Sequence, residues 1–148
     1  IAPIYEGTNG IQAADLVGRK LGMAGGEGVR SLLADITLGA AGHPELADLA
    51  AACAAVTDWL EQATAPDRLA GSYPYLTMLA TATCGWLMAV EQQGARAALD
   101  AGEGDTAFLE AKIASTRFYL QQIVPAATGL APSALAGDAA LEPLPRLG

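Results

Sequence analysis

A long uncharged segment limits the folds open to this sequence, because no charged residue occurs between Arg68 and Glu91. Such a segment has to be buried, either in a lipid bilayer or in the core of a protein. It contains Gly71, Pro74 and several hydroxyl side chains, and its strongly apolar part is shorter than the roughly 20 residues of a membrane span. We therefore interpret residues 75–100 as a buried bundle helix that Pro74 prevents from starting earlier.

Composition favours helices throughout the chain. The hydrophobic fraction of 52% comes mainly from alanine and leucine, aromatic residues make up 5%, and β-branched residues are sparse. A chain of 148 residues is one domain in size and buries about 70% of its unfolded surface. The predicted fold is all-α, a bundle of about four to five helices.

Apolar residues at spacings of three and four predict where the helices lie. Glycines, prolines and capping residues between the apolar runs predict their ends. The predicted helices cover residues 9–21, 27–38, 44–63, 75–100 and 106–124, with a glycine-rich flexible connector at 22–28 and Asp105 as an N-cap. After Leu130 the chain is predicted to be extended or disordered.

Charge and reactive side chains exclude several functions. A net charge of −8 and a pI near 4.4 oppose binding to nucleic acids and to anionic membranes. Cys53 and Cys84 lie in apolar helical runs, which favours buried thiols in a reducing, cytoplasmic compartment over the alternative of one long-range disulfide. His43 is the only histidine, so we predict no metal site. Trp59 and Trp86 are interpreted as core or interface residues.

The stretch from Tyr5 to Gly10 has the composition of a turn that leads into a helix. Its two glycines tolerate positive φ angles, and Thr8 or Asn9 can cap the following helix. The N-terminus of a helix also suits the phosphate or ring oxygens of a cofactor. These residues alone favour a solvated or capping carboxylate at Glu6 over a catalytic one.

Residues 4–12, which read Ile-Tyr-Glu-Gly-Thr-Asn-Gly-Ile-Gln, resemble the C-terminal catalytic segment of the FAD-dependent acyl-CoA dehydrogenases. The resemblance implies that Glu6 is the base that removes the α proton of an acyl-CoA while the flavin accepts a hydride from the β carbon. It also implies further contacts for the neighbouring residues. These are cofactor contacts from Thr8, Asn9 and Gly10, and substrate contacts from Tyr5 and Gly7.

Residues 112–119 and 123–125 are similar to the helical C-terminal extension of one subgroup of that family, which includes the methylthiopropionyl-CoA dehydrogenases. The two resemblances imply four regions. Residues 1–22 would end the catalytic helical domain, 23–28 would be a linker, 29–130 the bundle extension and 131–148 an extended or disordered tail. The chain would then be a piece of a longer enzyme, with the flavin-binding β domain in the preceding part.

This interpretation predicts that the chain alone is inactive and does not bind FAD tightly. The parent enzyme would use an acyl-CoA substrate and an electron-transfer acceptor, and would form a homo-oligomer. Two other hypotheses are an assembly module from about Glu27 onward, which packs on the parent body or a second subunit, and a free-standing helical binding protein.

Overall fold

Helices make up nearly all of the described chain. The computed structural model describes residues 2–139, with side chains from Thr8 onward. The helices are α1 (Ala2–Asp15), α2 (Glu27–Gly39), α3 (Pro44–Gln62), α4 (Ala65–Ala101), α5 (Thr106–Phe118), α6 (Val124–Thr128) and α7 (Ala131–Ala134). Leu16–Lys20 and Tyr119–Ile123 form π-helical turns, and Met23–Gly26 forms a 3-10 turn. No strand occurs in this part of the chain, which confirms the predicted all-α bundle.

Helix α4 is the centre of the bundle. Its 37 residues span about 55 Å, and it packs against α1, α3, α5 and α7. Tyr75, Met78 and Ala82 are fully buried in it, so the uncharged segment lies in a protein core as predicted. None of the helices described between residues 2 and 139 is long and apolar enough to cross a membrane.

The predicted start of α4 after Pro74 was wrong, because α4 begins at Ala65 and contains Pro74. A proline inside a helix costs about 3 kcal/mol and leaves one carbonyl group without its partner. Full burial of Tyr75 and Met78 on the next turn contributes about 1.5–3 kcal/mol each and outweighs this cost. The true N-cap is Thr64, whose hydroxyl accepts a hydrogen bond from the Asp67 N–H.

Residues 5–10 also differ from the prediction, since they lie inside α1 and do not form a turn. Glycine tolerates a positive φ angle but does not require one, and Gly10 is not among the residues with positive φ. Ala13, Val17 and Leu21 bury one side of this segment in the bundle, which favours a continuous helix. A π turn at Leu16–Lys20, closed by the Leu21 N–H on the Leu16 carbonyl, continues α1.

The glycine-rich connector is a compact turn. Ala24, Gly25 and Gly26 all have left-handed backbone angles, and α2 begins directly after them at Glu27. The Arg30 guanidinium donates a 3.0 Å hydrogen bond to the Gly25 carbonyl and forms an ion pair with Glu61. The connector is therefore fastened to both α2 and α3.

The segment after Leu130 is partly helical where an extended tail was predicted. Residues Ala131–Ala134 form α7, and Ala134 is fully buried. A Cβ atom on Gly71 would collide with the Ala134 carbonyl oxygen, so glycine is what lets α7 pack on α4. Further on, Asp67 accepts a 3.0 Å hydrogen bond from the Asp138 N–H. Residues 140–148 of the predicted tail lie outside the described part.

The α5 region follows the prediction closely. Asp105 caps α5 by accepting a 2.9 Å hydrogen bond from the Phe108 N–H. The predicted helix ended at Val124, directly before Pro125, and the structure shows a π turn directly before α6, closed by the Val124 N–H on the Tyr119 carbonyl. The wider turn accommodates a proline ring that a regular α-helix would exclude.

The two cysteines have different environments, and both are free thiols. Cys53 is fully buried as predicted, and burial raises the pKa of its thiol to about 12. The prediction for Cys84 was wrong, because this residue is exposed on α4. Trp59 and Trp86 are partly buried and pack against the core, as expected.

Candidate functional site

The candidate catalytic residues all lie on α1. Tyr5, Glu6 and Gly7 are described as backbone only, so the side chains of the predicted base and of the predicted substrate contact Tyr5 lie outside the described part. Thr8, Asn9 and Gly10, the predicted cofactor contacts, are exposed. A Cβ atom built on Gly10 would have no neighbour within 4 Å, so another molecule can approach the backbone there.

The second half of α1 is held by a charged cluster. Arg19 donates two hydrogen bonds to the Asp15 carboxylate, at 2.7 and 2.8 Å, and the Lys20 ammonium group lies 3.2 Å from the same carboxylate. The hydrogen bond from Arg19 is the main cause that lowers the pKa of Asp15. Lys20 also donates a 3.3 Å hydrogen bond to the Gln12 side chain. The spacing of four from Asp15 to Arg19 is a helical ion-pair signal, although none of the predictions above used it.

An apolar groove of about 560 Å³ lies between the π turn at Leu16–Lys20, the first turns of α2, and α4. Leu16, Val29, Leu32 and Leu79 form its apolar walls, and the charged cluster borders it. Ile11, one helical turn before the π segment, is 68% exposed. The exposed side of α1 and this groove therefore offer a surface on which a further protein domain or a ligand could pack.

A second exposed apolar surface runs along α4. We call it the α4 stripe, and its members are Leu69, Tyr73, Leu76, Ala80, Cys84 and Leu87. They recur at spacings of three and four, so they lie on one side of the helix over about 27 Å. Leu69, Tyr73 and Leu87 are each more than half exposed. Sequence reasoning assigned this segment wholly to the core and missed the stripe, because both sides of α4 are apolar.

The described residues offer no cluster of three His, Cys, Asp or Glu side chains that could hold a metal ion. The buried Cys53 thiol is also unsuited to nucleophilic chemistry, because its raised pKa keeps it protonated at neutral pH.

Comparison with known proteins identifies the family of this helical chain. Residues 30–145 match the model of the family described as "Acetyl-CoA dehydrogenase C-terminal like". The chain belongs to this family. The match covers the bundle from α2 onward, and α1 precedes it.

A curated relative extends the comparison. The chain is 40% identical over 139 residues to the 3-methylmercaptopropionyl-CoA dehydrogenase of Ruegeria pomeroyi, an alignment that covers 84% of this chain and 23% of that protein. The chain therefore spans about a quarter of the length of this relative. Both comparisons confirm the predicted resemblance to the C-terminal part of an acyl-CoA dehydrogenase.

Proposed function

We propose that the chain is the C-terminal part of a flavin-dependent acyl-CoA dehydrogenase and that Glu6 is the base of that enzyme. The observation that carries the proposal is the family match over residues 30–145. The name of the relative and the Tyr-Glu-Gly-Thr motif on α1 support it. The proposed boundary between the catalytic domain and the extension, at residues 23–28, lies next to the first matched residue.

In the proposed reaction, the bond from the α carbon of the acyl thioester to hydrogen breaks and the Glu6 carboxylate takes the proton. A carboxylate that a bound apolar acyl chain desolvates has a higher pKa than one in water, which suits this role. A flavin, when bound, supplies the acceptor for the hydride that leaves the β carbon. Tyr5 and Gly7 would border the acyl group.

The exposed polar groups of α1 fit contacts with FAD. The Thr8 hydroxyl and the Asn9 amide can form hydrogen bonds with polar atoms of the cofactor, and the open space at Gly10 admits close approach. These groups lie on an exposed helix surface. The rest of the cofactor site would come from the part of the parent enzyme that this chain does not span. We therefore propose that this chain alone neither binds FAD tightly nor oxidises acyl-CoA.

The acyl-CoA class of the substrate and the transfer of electrons to a separate acceptor are part of the same proposal. They rest on the name of the relative and on the family, as does a homo-oligomeric parent. A cytoplasmic location is proposed from the two free thiols, which suit a reducing compartment.

The proposal is tested with Glu6→Gln in the full-length parent, measured as turnover of an acyl-CoA with an artificial electron acceptor. We expect kcat to fall by about 10²–10⁴-fold, the contribution typical of a positioned base. Flavin absorbance should be retained, because glutamine keeps the shape of glutamate. Glu27→Gln, an exposed glutamate on the first turn of α2, is the matched control. Near-normal turnover of Glu6→Gln would exclude Glu6 as the base.

Isolated chain and parent should also differ in cofactor content. We expect the purified 148-residue chain to show no flavin absorbance and no dehydrogenase activity after incubation with FAD. Flavin-dependent activity of the isolated chain would contradict the proposal that the site is completed by the rest of the enzyme.

A second candidate function, assembly, is favoured by the α4 stripe. An exposed apolar surface of this length is typical of an interface, and its three-four spacing suits packing against another helix. Leu87→Glu in the parent enzyme should reduce its oligomeric state in sedimentation velocity. Leu38→Glu, at a leucine that is 77% exposed on α2, is the matched control. An unchanged oligomer with Leu87→Glu would exclude the stripe from the subunit interface.

A further inference from the structure

A polar pocket of about 430 Å³ lies between the start of α3, the C-terminal half of α4, and α5. His43 and Glu45 line it from α3, Gln92 and Arg96 from α4, and Arg117 from α5. Its volume falls within the range of small-molecule sites. Along α4, Gln92 is 13 residues beyond Leu79 of the apolar groove, which corresponds to about 20 Å. The pocket is therefore separate from the groove beside α1.

The two arginines of this pocket differ from the other cations that the structure describes. Every other described lysine or arginine donates a hydrogen bond, and most of these cations also form an ion pair. Arg96 and Arg117 have neither kind of partner within the described chain. In a chain with a net charge of −8, acidic partners are abundant. Two guanidinium groups that lack such partners and line the same pocket provide binding capacity for an external anion.

A hydrogen bond between α4 and α5 lies between the two arginines of this pocket. The buried Gln92 side chain donates a 3.3 Å hydrogen bond from Nε2 to the Ile113 carbonyl and so joins α4 to α5. Arg96 is four residues after Gln92, and Arg117 is four residues after Ile113. Because residues four apart lie on the same side of a helix and α4 and α5 run antiparallel, Arg96 lies one turn from this link in one direction and Arg117 one turn from it in the other, so the two arginines flank the link.

The N-terminus of α3 adds a partial positive charge, while the Glu45 carboxylate opposes anion binding. The lining thus holds two full positive charges against one negative charge, with the His43 ring beside them. We propose that this pocket binds a small anion that carries a phosphate group. Planar guanidinium groups recognise phosphate oxygens through paired hydrogen bonds, and one lines the pocket on each side of the link between Gln92 and Ile113.

Isothermal titration calorimetry of the 148-residue chain tests the proposal at low ionic strength, with inorganic phosphate and a nucleoside monophosphate as probes. We expect saturable binding that Arg96→Gln and Arg117→Gln each weaken by about tenfold, as for the loss of one charge-assisted contact. Arg19→Gln removes the same charge from the α1 cluster and should leave the affinity unchanged. Circular dichroism of each variant checks that the helices are retained.

Glu45→Gln provides a test that does not depend on loss of function. Removal of the opposing carboxylate should tighten phosphate binding severalfold. Misfolding would not tighten binding, and the Arg19→Gln variant shows whether a change of charge far from the pocket affects it. Tighter binding of the nucleotide than of inorganic phosphate would show that the preferred ligand is an organic phosphate ester. Equal binding would show that the pocket recognises the phosphate group alone. Either result supports the site.

Three results would overturn the proposal. They are the absence of saturable binding of both probes, equal affinity in the folded Arg96→Gln/Arg117→Gln double variant, and an effect of Arg19→Gln as large as that of the pocket variants. None of these measurements involves flavin or acyl-CoA. The phosphate site and the proposed dehydrogenase function therefore fail independently of each other.

Discussion

The Tyr75 hydroxyl lies 2.7 Å from the Thr57 hydroxyl in the centre of the bundle and joins α4 to α3. Thr57 donates its own proton to the Cys53 carbonyl at 2.7 Å, so Tyr75 is the donor in the bond between the two side chains. Both residues are almost completely buried. This pair is the one polar contact between side chains of α3 and α4 in the described core.

Removal of both partners of this pair should destabilise the fold by less than the sum of the two single removals. Thr57→Val leaves the buried Tyr75 hydroxyl without an acceptor, and we expect it to lower the free energy of unfolding by about 1–3 kcal/mol. Tyr75→Phe should cost about 1 kcal/mol, and the double variant should cost less than the sum. Urea denaturation measures all three values. Strict additivity would show that the hydrogen bond contributes no coupling.

Stability should fall at alkaline pH. Burial raises the pKa of Cys53 from 9.0 and of Tyr75 from 10.0, each to about 12, so the folded state holds these protons more tightly than the unfolded state. The contribution of these two protonated groups to the free energy of unfolding is complete below about pH 9 and is lost as the pH rises towards 12. Urea denaturation across this pH range should show the decline in stability, and Cys53→Ala should move its onset to higher pH. A flat profile in both proteins would contradict the assignment.

Thiol reagents should distinguish the two cysteines. Cys84 is exposed on the α4 stripe and Cys53 is completely buried. An aromatic disulfide reagent should therefore label one thiol rapidly in the native chain and the second only after denaturation. Cys84→Ser should abolish the rapid phase. If Cys84 is slow to react in the full-length parent, a partner surface covers the stripe there.

Gly71→Ala should destabilise the C-terminal part of the bundle. The new methyl group would meet the Ala134 carbonyl oxygen, a backbone atom that can move only if α7 shifts away from α4. We expect a loss of about 1–3 kcal/mol in the free energy of unfolding, as for overpacked cores. Gly94→Ala, at an open position of the same helix, should stabilise by about 0.5–1 kcal/mol. Equal effects at both positions would argue against close packing at Gly71.

The sequence was sufficient to predict the helices with clear end signals. Asp105 caps α5 as expected, and Pro44 starts α3. Local signals failed where tertiary burial outweighed them. Pro74 is accommodated inside α4 because the next turn is fully buried, and the glycines of the Tyr-Glu-Gly-Thr motif stay helical because α1 packs on the bundle.

The candidate site was predicted only in part. The family resemblance marked residues 4–12, and the comparisons confirm that family for the bundle that follows. The pocket with Arg96 and Arg117 could not be found from the sequence, because the two arginines are 21 residues apart and only the tertiary contacts between α4 and α5 align the helices that carry them. Cys84 was misplaced because an uncharged segment does not show which of its sides is covered.

The single unbroken span of α4 has a consequence for how the chain can vary in length. Deletion of one residue between Tyr75 and Gln92 would turn everything beyond it by about 100°. The deletion would move Gln92 away from the Ile113 carbonyl on α5, while the start of α4 stayed packed against α7. The exposed turn at residues 102–105 carries no such coupling and can absorb added residues. Insertions and deletions among related chains should therefore gather at this turn and spare α4.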